Sequence, residues 1–177
     1  MDPSNYPLTV RSIAQRTGRA PSPDLLEELG AWVLVGPPLA SRADDWSYRT
    51  ISAERLRDGD GSEEVLFEAA FLVLPVRKRS KSGAFASTVL IGRATTNDVC
   101  IMHQSISKLH ARVRLTHGAA LLSDAGSSNG TFLNEQLAID ETPLKHGVHV
   151  RFGSCAFQLF ETGRFLPLLT RLSALGA

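Results

Sequence analysis

From about Leu66 onward, apolar runs of four to nine residues alternate with clusters of Gly, Ser, Asn and Asp. That spacing predicts short strands joined by turns, the pattern of an all-β sandwich. Strands are expected near 70–78, 85–92, 98–102, 110–115, 119–123, 131–133, 136–139, 148–153 and 156–161. The run Arg77-Lys78-Arg79-Ser80-Lys81-Ser82-Gly83 reads as a polar hairpin tip. At the C-terminus, Phe165, Leu168, Leu169 and Leu172 recur at helical spacing, which predicts a terminal helix packed on the sandwich. A helix that binds a partner is the alternative.

The first 65 residues mix signals. Ser22 suits an N-cap, Pro23 the first helical position and Gly30 the stop, so a short helix is expected between them. Its Leu25, Leu26 and Leu29 are expected on one packed face. A second short helix is expected from about Thr9 to Arg16, ending at Gly18. Trp32-Val33-Leu34-Val35 reads as a buried strand halted by Gly36-Pro37-Pro38. Trp46, Tyr48 and Thr50 alternate as a half-buried strand would, and Asp58-Gly59-Asp60-Gly61-Ser62 reads as a turn or loop. The organisation expected is an N-terminal extension (1–65) docked on the core, a sandwich (66–162) and a C-terminal helix (163–177). The fold class is mainly β, with about 10–11 strands.

Composition narrows the function. The 177 residues suffice for one domain or for a small domain with an extension. A net charge of +1 argues against a general nucleic-acid binder, which usually carries a basic excess. The basic tip at 77–81 has no aromatic platform beside it and reads as a solvated hairpin end. Cys100 and Cys155 form neither a disulfide framework nor a zinc site, and both read as buried free thiols. The five histidines (His103, His110, His117, His146, His149) show no metal-ligand spacing, so no metal or cofactor is expected. No apolar run reaches the ~20 residues of a membrane span, and the N-terminus lacks the features of a signal peptide. The expected location is the cytosol.

The chemistry lies in the loops. Gly92-Arg93, Ser107-Lys108-Leu109-His110, Asp124-Ala125-Gly126-Ser127-Ser128-Asn129-Gly130-Thr131 and Asn134 fall between predicted strands. They offer hydrogen-bond donors around an arginine, which suits an anion that is held and not transformed. A triad of Ser107, His110 and Asp124 can be written down, but Ser-x-x-His near a strand start is not a nucleophile elbow, and no Gly-x-Ser-x-Gly is expected. There is no P-loop and no kinase signature, and an enzyme is not expected.

These four blocks, in this order, resemble the forkhead-associated (FHA) domain, a β-sandwich that reads phosphothreonine in partner proteins. The resemblance covers roughly the second half of the chain. It implies that Arg93, Ser107 and Ser128 hold the phosphate, with both the hydroxyl and the backbone N–H of Ser107 engaged. Lys108 stands where the family usually has arginine, which keeps the charge but loses the fork, so a supporting contact is implied. Many members have threonine where Ser128 stands. Asn129 is implied to bond the ligand backbone just after the phosphoresidue. His110 is implied to be architectural, Gly130 and Thr131 to be turn and framework residues, and Asp124 and Asn134 to brace the loop. Gly92 leaves the loop unobstructed and is a candidate for an unusual backbone angle. Ser127 could either brace the loop or meet the ligand. Selectivity would fall to neighbours such as Thr95, Thr96, His103, Gln104 and Ser105. A preference for threonine would come from a small recess for its methyl group. Leu144-Lys145-His146-Gly147-Val148 resembles the family's closing hairpin, except that an acid usually stands where this chain has Val148.

The implied function is a phosphothreonine-dependent adaptor in a Ser/Thr kinase pathway, in a bacterial cytosol. Its partner would be a phosphothreonine-containing protein, such as a Ser/Thr kinase or its substrate, with no nucleic acid and no membrane. The alternative is an FHA-like scaffold that binds or oligomerises through a phosphate-independent surface. Thr17, within Gln15-Arg16-Thr17-Gly18-Arg19, suggests an accessible site for a threonine kinase, against the plainer reading of an unmodified loop residue.

Overall fold

A computed structural model describes residues 8–17, 20–39, 54–57, 64–67, 70–79, 87–116 and 119–175. The elements run α1 (Val10–Thr17), α2 (Pro23–Leu29), β1 (Trp32–Gly36), β2 (Glu54–Arg57), β3 (Glu64–Phe67), β4 (Leu72–Pro75), β5 (Thr88–Gly92), β6 (Val99–Cys100), β7 (Ala111–Thr116), β8 (Ala119–Asp124), β9 (Thr131–Leu133), β10 (Gln136–Leu137), β11 (Thr142–Pro143), β12 (His149–Phe152), β13 (Cys155–Glu161) and α3 (Thr162–Leu175). The larger sheets are six-stranded, in the order β10-β9-β12-β13-β1-β4, and five-stranded, in the order β11-β8-β7-β5-β6. They form a sandwich closed by a core that includes Leu34, Val89, Ile91, Ile101, Val113, Leu122, Val150, Phe152, Phe157 and Leu159.

A second core lies on the outer face of the six-stranded sheet. Val10 and Ile13 of α1, Leu25 and Leu29 of α2, and Phe165, Leu166, Leu168 and Leu169 of α3 pack there with Val33, Val35 and Phe160. This explains the unbroken apolar run of β1. Leu34 points into the sandwich while Val33 and Val35 point to the helices, so neither face can be polar. The strand pairs antiparallel with β13 on one side and β4 on the other. The sandwich therefore takes one of its inner strands from the segment assigned by sequence to an extension, and it begins well before residue 66. Residues 8–10 also lie along β4, with Val10 N–H donating to Phe71 O and Val73 N–H to Leu8 O.

The capping chemistry of α2 is as its sequence predicts. Ser22 Oγ accepts from Leu25 N–H, and Gly30 at φ 69° lets its own N–H donate to Leu26 O. Leu26, however, is 42 % exposed. Leu25 and Leu29 are one turn apart and share the packed face, whereas Leu26 is rotated off it. Thr17 is not the accessible site suggested by its basic neighbours. It is 2 % exposed in the last turn of α1, and its hydroxyl donates to Ile13 O at 2.8 Å. Helix periodicity puts residues 10, 13 and 17 on one face, and that face is buried.

The basic tip is also more tightly held than a solvated end. Arg77 Nε donates to Glu28 O, Lys78 pairs with Asp98 at 2.9 Å, and Arg79 N–H donates to the same carboxylate. Burial opposes ionisation of Asp98, but its bonds from Lys78 and from the N–H groups of Leu90 and Arg79 hold its pKa below the usual range. Two paired segments stand beyond the predicted strands: the β2–β3 pair, and β11, which pairs with β8. The predicted strand at 46–50, the loop at 58–62 and the rest of the basic run beyond Arg79 lie outside the described residues. Among the described residues, no helix is long and apolar enough to cross a membrane.

Candidate functional site

Three loops meet at one end of the sandwich: 93–98 after β5, 101–110 after β6, and 125–130 after β8. They enclose an open cleft of about 410 Å³ lined by Arg93, Ser107, Lys108, Ser128 and Asn129 with Gln104, Ser105, Ile106 and Leu109. All five residues singled out by sequence for ligand contact thus line one cleft. Of the neighbours considered for selectivity, Gln104 and Ser105 line it, while Thr95 and Thr96 do not. The His103 ring is buried, because the loop folds its Nδ1 back to within 2.9 Å of Ser105 Oγ.

Arg93 is anchored at two points. Its N–H donates to Ser107 O and its Nε to Ile106 O at 3.1 Å. Among the described residues, the terminal amino groups of its guanidinium make no hydrogen bond. Among the described residues, no carboxylate pairs with Arg93 or Lys108, so two cations face the cleft without a protein counter-charge. Gly92 has no positive φ; the reason for glycine is proximity. A Cβ there would meet the Lys108 carbonyl oxygen and the Asn97 amide. That carbonyl accepts from Ala94 N–H and from Asn97 Nδ2 at 2.6 Å. Asn97, which lies outside the four blocks of loop residues, thereby joins the first loop to the second.

His110 joins the second loop to the third. Its Nδ1 accepts from Ser107 N–H at 3.0 Å, and its Nε2 lies 3.0 Å from Gly130 O. Because a carbonyl can only accept, Nε2 carries the proton and the ring is the neutral Nε2–H tautomer. The Ser107 N–H, expected at the phosphate, is therefore occupied. The Ser107 hydroxyl oxygen accepts from Ser128 N–H at 3.0 Å, which leaves its own proton to donate into the cleft.

Burial lowers the His110 pKa from 6.5, outweighing the raising effects of the Gly130 bond and the Asp124 charge. The sign for stability follows. The unfolded chain takes up this proton near 6.5 and the folded chain only at lower pH. Stability is thus complete above 6.5 and is lost as pH falls through the depressed folded value. A His110→Asn variant should be less stable overall, with a flatter stability profile between the folded value and 6.5 in chemical denaturation. An unchanged slope would exclude His110 as the titrating group.

The third loop is organised by Asp124. Its Oδ2 accepts from the N–H groups of Gly126 and Ser127, both at 2.8 Å. Its Oδ1 accepts from Ser127 Oγ at 2.7 Å and Thr131 Oγ1 at 2.6 Å. Ser127 Oγ also accepts from Gly130 N–H, so Ser127 braces the loop. Gly130 sits at φ 75°, a conformation that disfavours side chains. Asn134 does not belong to this loop. Its Oδ1 accepts from His149 N–H, bracing the β9–β10 turn against β12. Val148, where the resemblance leads one to expect an acid, closes its turn with N–H to Lys145 O at 3.3 Å. Cys155 is buried, and burial pushes its thiol up to about 11; Cys100 is only half-buried.

The expected absence of a Gly-x-Ser-x-Gly spacing is wrong, because Gly126-x-Ser128-x-Gly130 has the written form of a nucleophile elbow. The structure gives it a different context. It joins strand β8 to strand β9, with no following helix, and both nitrogens of His110 are already committed.

Residues 89–153 match the family model described as the FHA domain. The glycogen accumulation regulator GarA of Mycolicibacterium smegmatis is 35 % identical over 77 residues, which make up 43 % of this chain and 47 % of that protein. The chain thus spans about half the length of this curated relative. Among solved structures, the FHA domain of the CT664 protein from Chlamydia trachomatis has 16 % identity and a TM-score of 0.42, over 74 % of this chain and 98 % of that one. The N-terminal FHA domain of S. cerevisiae Rad53p, in complex with a phosphothreonine peptide, has 23 % identity and a TM-score of 0.41, over 49 % and 77 %.

Proposed function

We propose that this chain, which carries an FHA domain over residues 89–153, uses it as a phosphothreonine-dependent protein-binding module. FHA domains are binding modules that take phosphothreonine peptides. The observation that carries the reading for this chain is the cleft itself. Among the described residues, Arg93 and Lys108 face it without counter-charge, beside the hydroxyls of Ser107 and Ser128 and the amide of Asn129. A phosphothreonine has a charge near −2 at neutral pH and three acceptor oxygens. Arg93 offers a forked, charge-assisted pair of bonds, the hydroxyls of Ser107 and Ser128 add directed donors, and Lys108 adds charge. Asn129 then bonds the ligand main chain after the phosphoresidue. On this reading the chain is a bacterial, cytosolic adaptor and not an enzyme. Its partner is a phosphothreonine-containing protein in a Ser/Thr kinase pathway, the kinase or a substrate.

The test is capture from an oriented phosphothreonine peptide library, with matched phosphoserine and unphosphorylated pools. Selective, Arg93-dependent capture of the phosphothreonine pool supports the reading. No capture by the folded protein overturns it in favour of a phosphate-independent scaffold. Affinity should fall as salt rises and again below about pH 6, where the phosphate becomes a monoanion. Titrations across both ranges check this, and an affinity insensitive to both would exclude a phosphate-centred contact.

A further inference from the structure

The turn between β12 and β13, Gly153-Ser154, lies behind the cleft and does not line it. It nevertheless touches two of the three loops that build the cleft. Gly153 N–H donates to Gly130 O at 2.9 Å. Ser154 donates to Ser105 Oγ twice, from its N–H at 3.1 Å and from its hydroxyl at 2.9 Å. The contact is tight: a Cβ on Gly153 would stand 2.6 Å from the Ser105 carbonyl oxygen and 2.9 Å from its hydroxyl. Glycine at φ 54° is required there by both space and backbone conformation.

That Ser105 carbonyl accepts from Asn129 Nδ2 at 2.8 Å. Since the acceptor is a carbonyl, the orientation of the Asn129 amide is settled. One N–H is spent inward, leaving one N–H and the Oδ1 for the cleft, a donor and an acceptor that complement a peptide group. Fixing a contact group before the ligand arrives removes part of the ordering cost of binding.

From this chain of contacts we propose that Gly153 and Ser154 are positioning residues for main-chain recognition. They hold Ser105, Ser154 through its hydroxyl and Gly153 by close packing, and the Ser105 carbonyl holds the Asn129 amide in the orientation that meets the ligand backbone. The inference rests on the phosphothreonine reading of the cleft and deepens it. Recognition divides into a phosphate half, centred on Arg93, and a main-chain half that depends on the β12–β13 turn.

The division is testable because the halves respond to different probes. Using the full chain, Gly153→Ala and Ser154→Ala would be compared with the parent for a captured phosphothreonine peptide and for free O-phosphothreonine, which lacks the following residue. Gly153→Ala should weaken peptide binding about five- to tenfold, the scale of one lost hydrogen bond, and Ser154→Ala by less. Both should leave O-phosphothreonine affinity within about twofold. On an Asn129→Ala background, the effect on the peptide should disappear, since coupled residues are not additive. If Gly153→Ala fails to fold, the milder Ser154→Ala decides. Peptide affinity equal to the parent's, equal losses for both probes, or an undiminished loss on the Asn129→Ala background would each overturn the proposal. A parent that binds neither probe would instead overturn the phosphothreonine reading beneath it.

Discussion

Replacing Arg93 with alanine is expected to abolish capture of phosphothreonine peptides while leaving the protein folded. The side chain is exposed and, among the described residues, makes one hydrogen bond, Nε to Ile106 O, so the fold loses little. The main-chain bond from residue 93 to Ser107 O survives the substitution. What disappears is the fork that faces the cleft. Each hydrogen bond to a charged group contributes about 1.5–3 kcal/mol, so the loss should exceed tenfold even if one of the pair is replaced by water. Arg93→Lys should recover part of the affinity, since lysine restores charge without the planar fork. Fluorescence anisotropy with a captured peptide measures the effect, and far-ultraviolet circular dichroism checks the fold. Parental affinity in a folded Arg93→Ala protein would refute the site assignment.

The second large effect should come from Asp124→Ala, by a different route. The carboxylate touches no ligand in our reading, yet it accepts four hydrogen bonds from Gly126, Ser127 and Thr131. Removing it strands these donors, among them the hydroxyl of Thr131, a residue with no exposed surface. The cost should be about 2–4 kcal/mol of stability, since a stranded buried donor costs about 1–3 kcal/mol and exposed ones rehydrate. Binding should fall as well, because Ser128 and Asn129 stand on the loop that Asp124 shapes.

The acid limb of stability provides an independent check. Burial opposes ionisation of Asp124, but its bonds from Ser127, Thr131 and Gly126 prevail and lower its pKa below 3.8. Its contribution is therefore present above 3.8 and lost as pH falls through the lower folded value. Asp124→Ala should lack that loss. Urea midpoints measured from pH 7 to below 3 would show it, and an acid limb identical to the parent's would exclude the assigned network.

Predicted strands such as 110–115 and 148–153 correspond to strands of the sandwich because residues of alternating exposure there face a core on one side and solvent on the other. In β7, for example, Ala111 and Val113 are buried while Arg112 and Arg114 are exposed. Where both faces are covered, alternation fails as a guide. The run Trp32-Val33-Leu34-Val35 announces burial but not which sheet buries it. Short edge strands such as β11 carry two residues and no readable period. The error at Thr17 has the same origin: basic neighbours suggested exposure, but the face of α1 that carries Thr17 is decided by what packs on it.

Local chemistry was legible in the chain alone: the caps of α2, the succession of strands and turns, and four blocks of loop residues that resemble the FHA pattern. These depend on neighbours a few positions apart, where side-chain volume, backbone preference and hydrogen-bonding capacity act directly. Which donors stay open in the cleft depends on long-range packing. The Ser107 N–H is withdrawn by His110, one Asn129 N–H by Ser105 across 24 positions, and the Ser105 hydroxyl is engaged by Ser154 across 49. A hydrogen-bonding group has the same capacity wherever it stands in the chain. Its partner is chosen by sheet register and loop packing, which bring distant residues within about 3 Å.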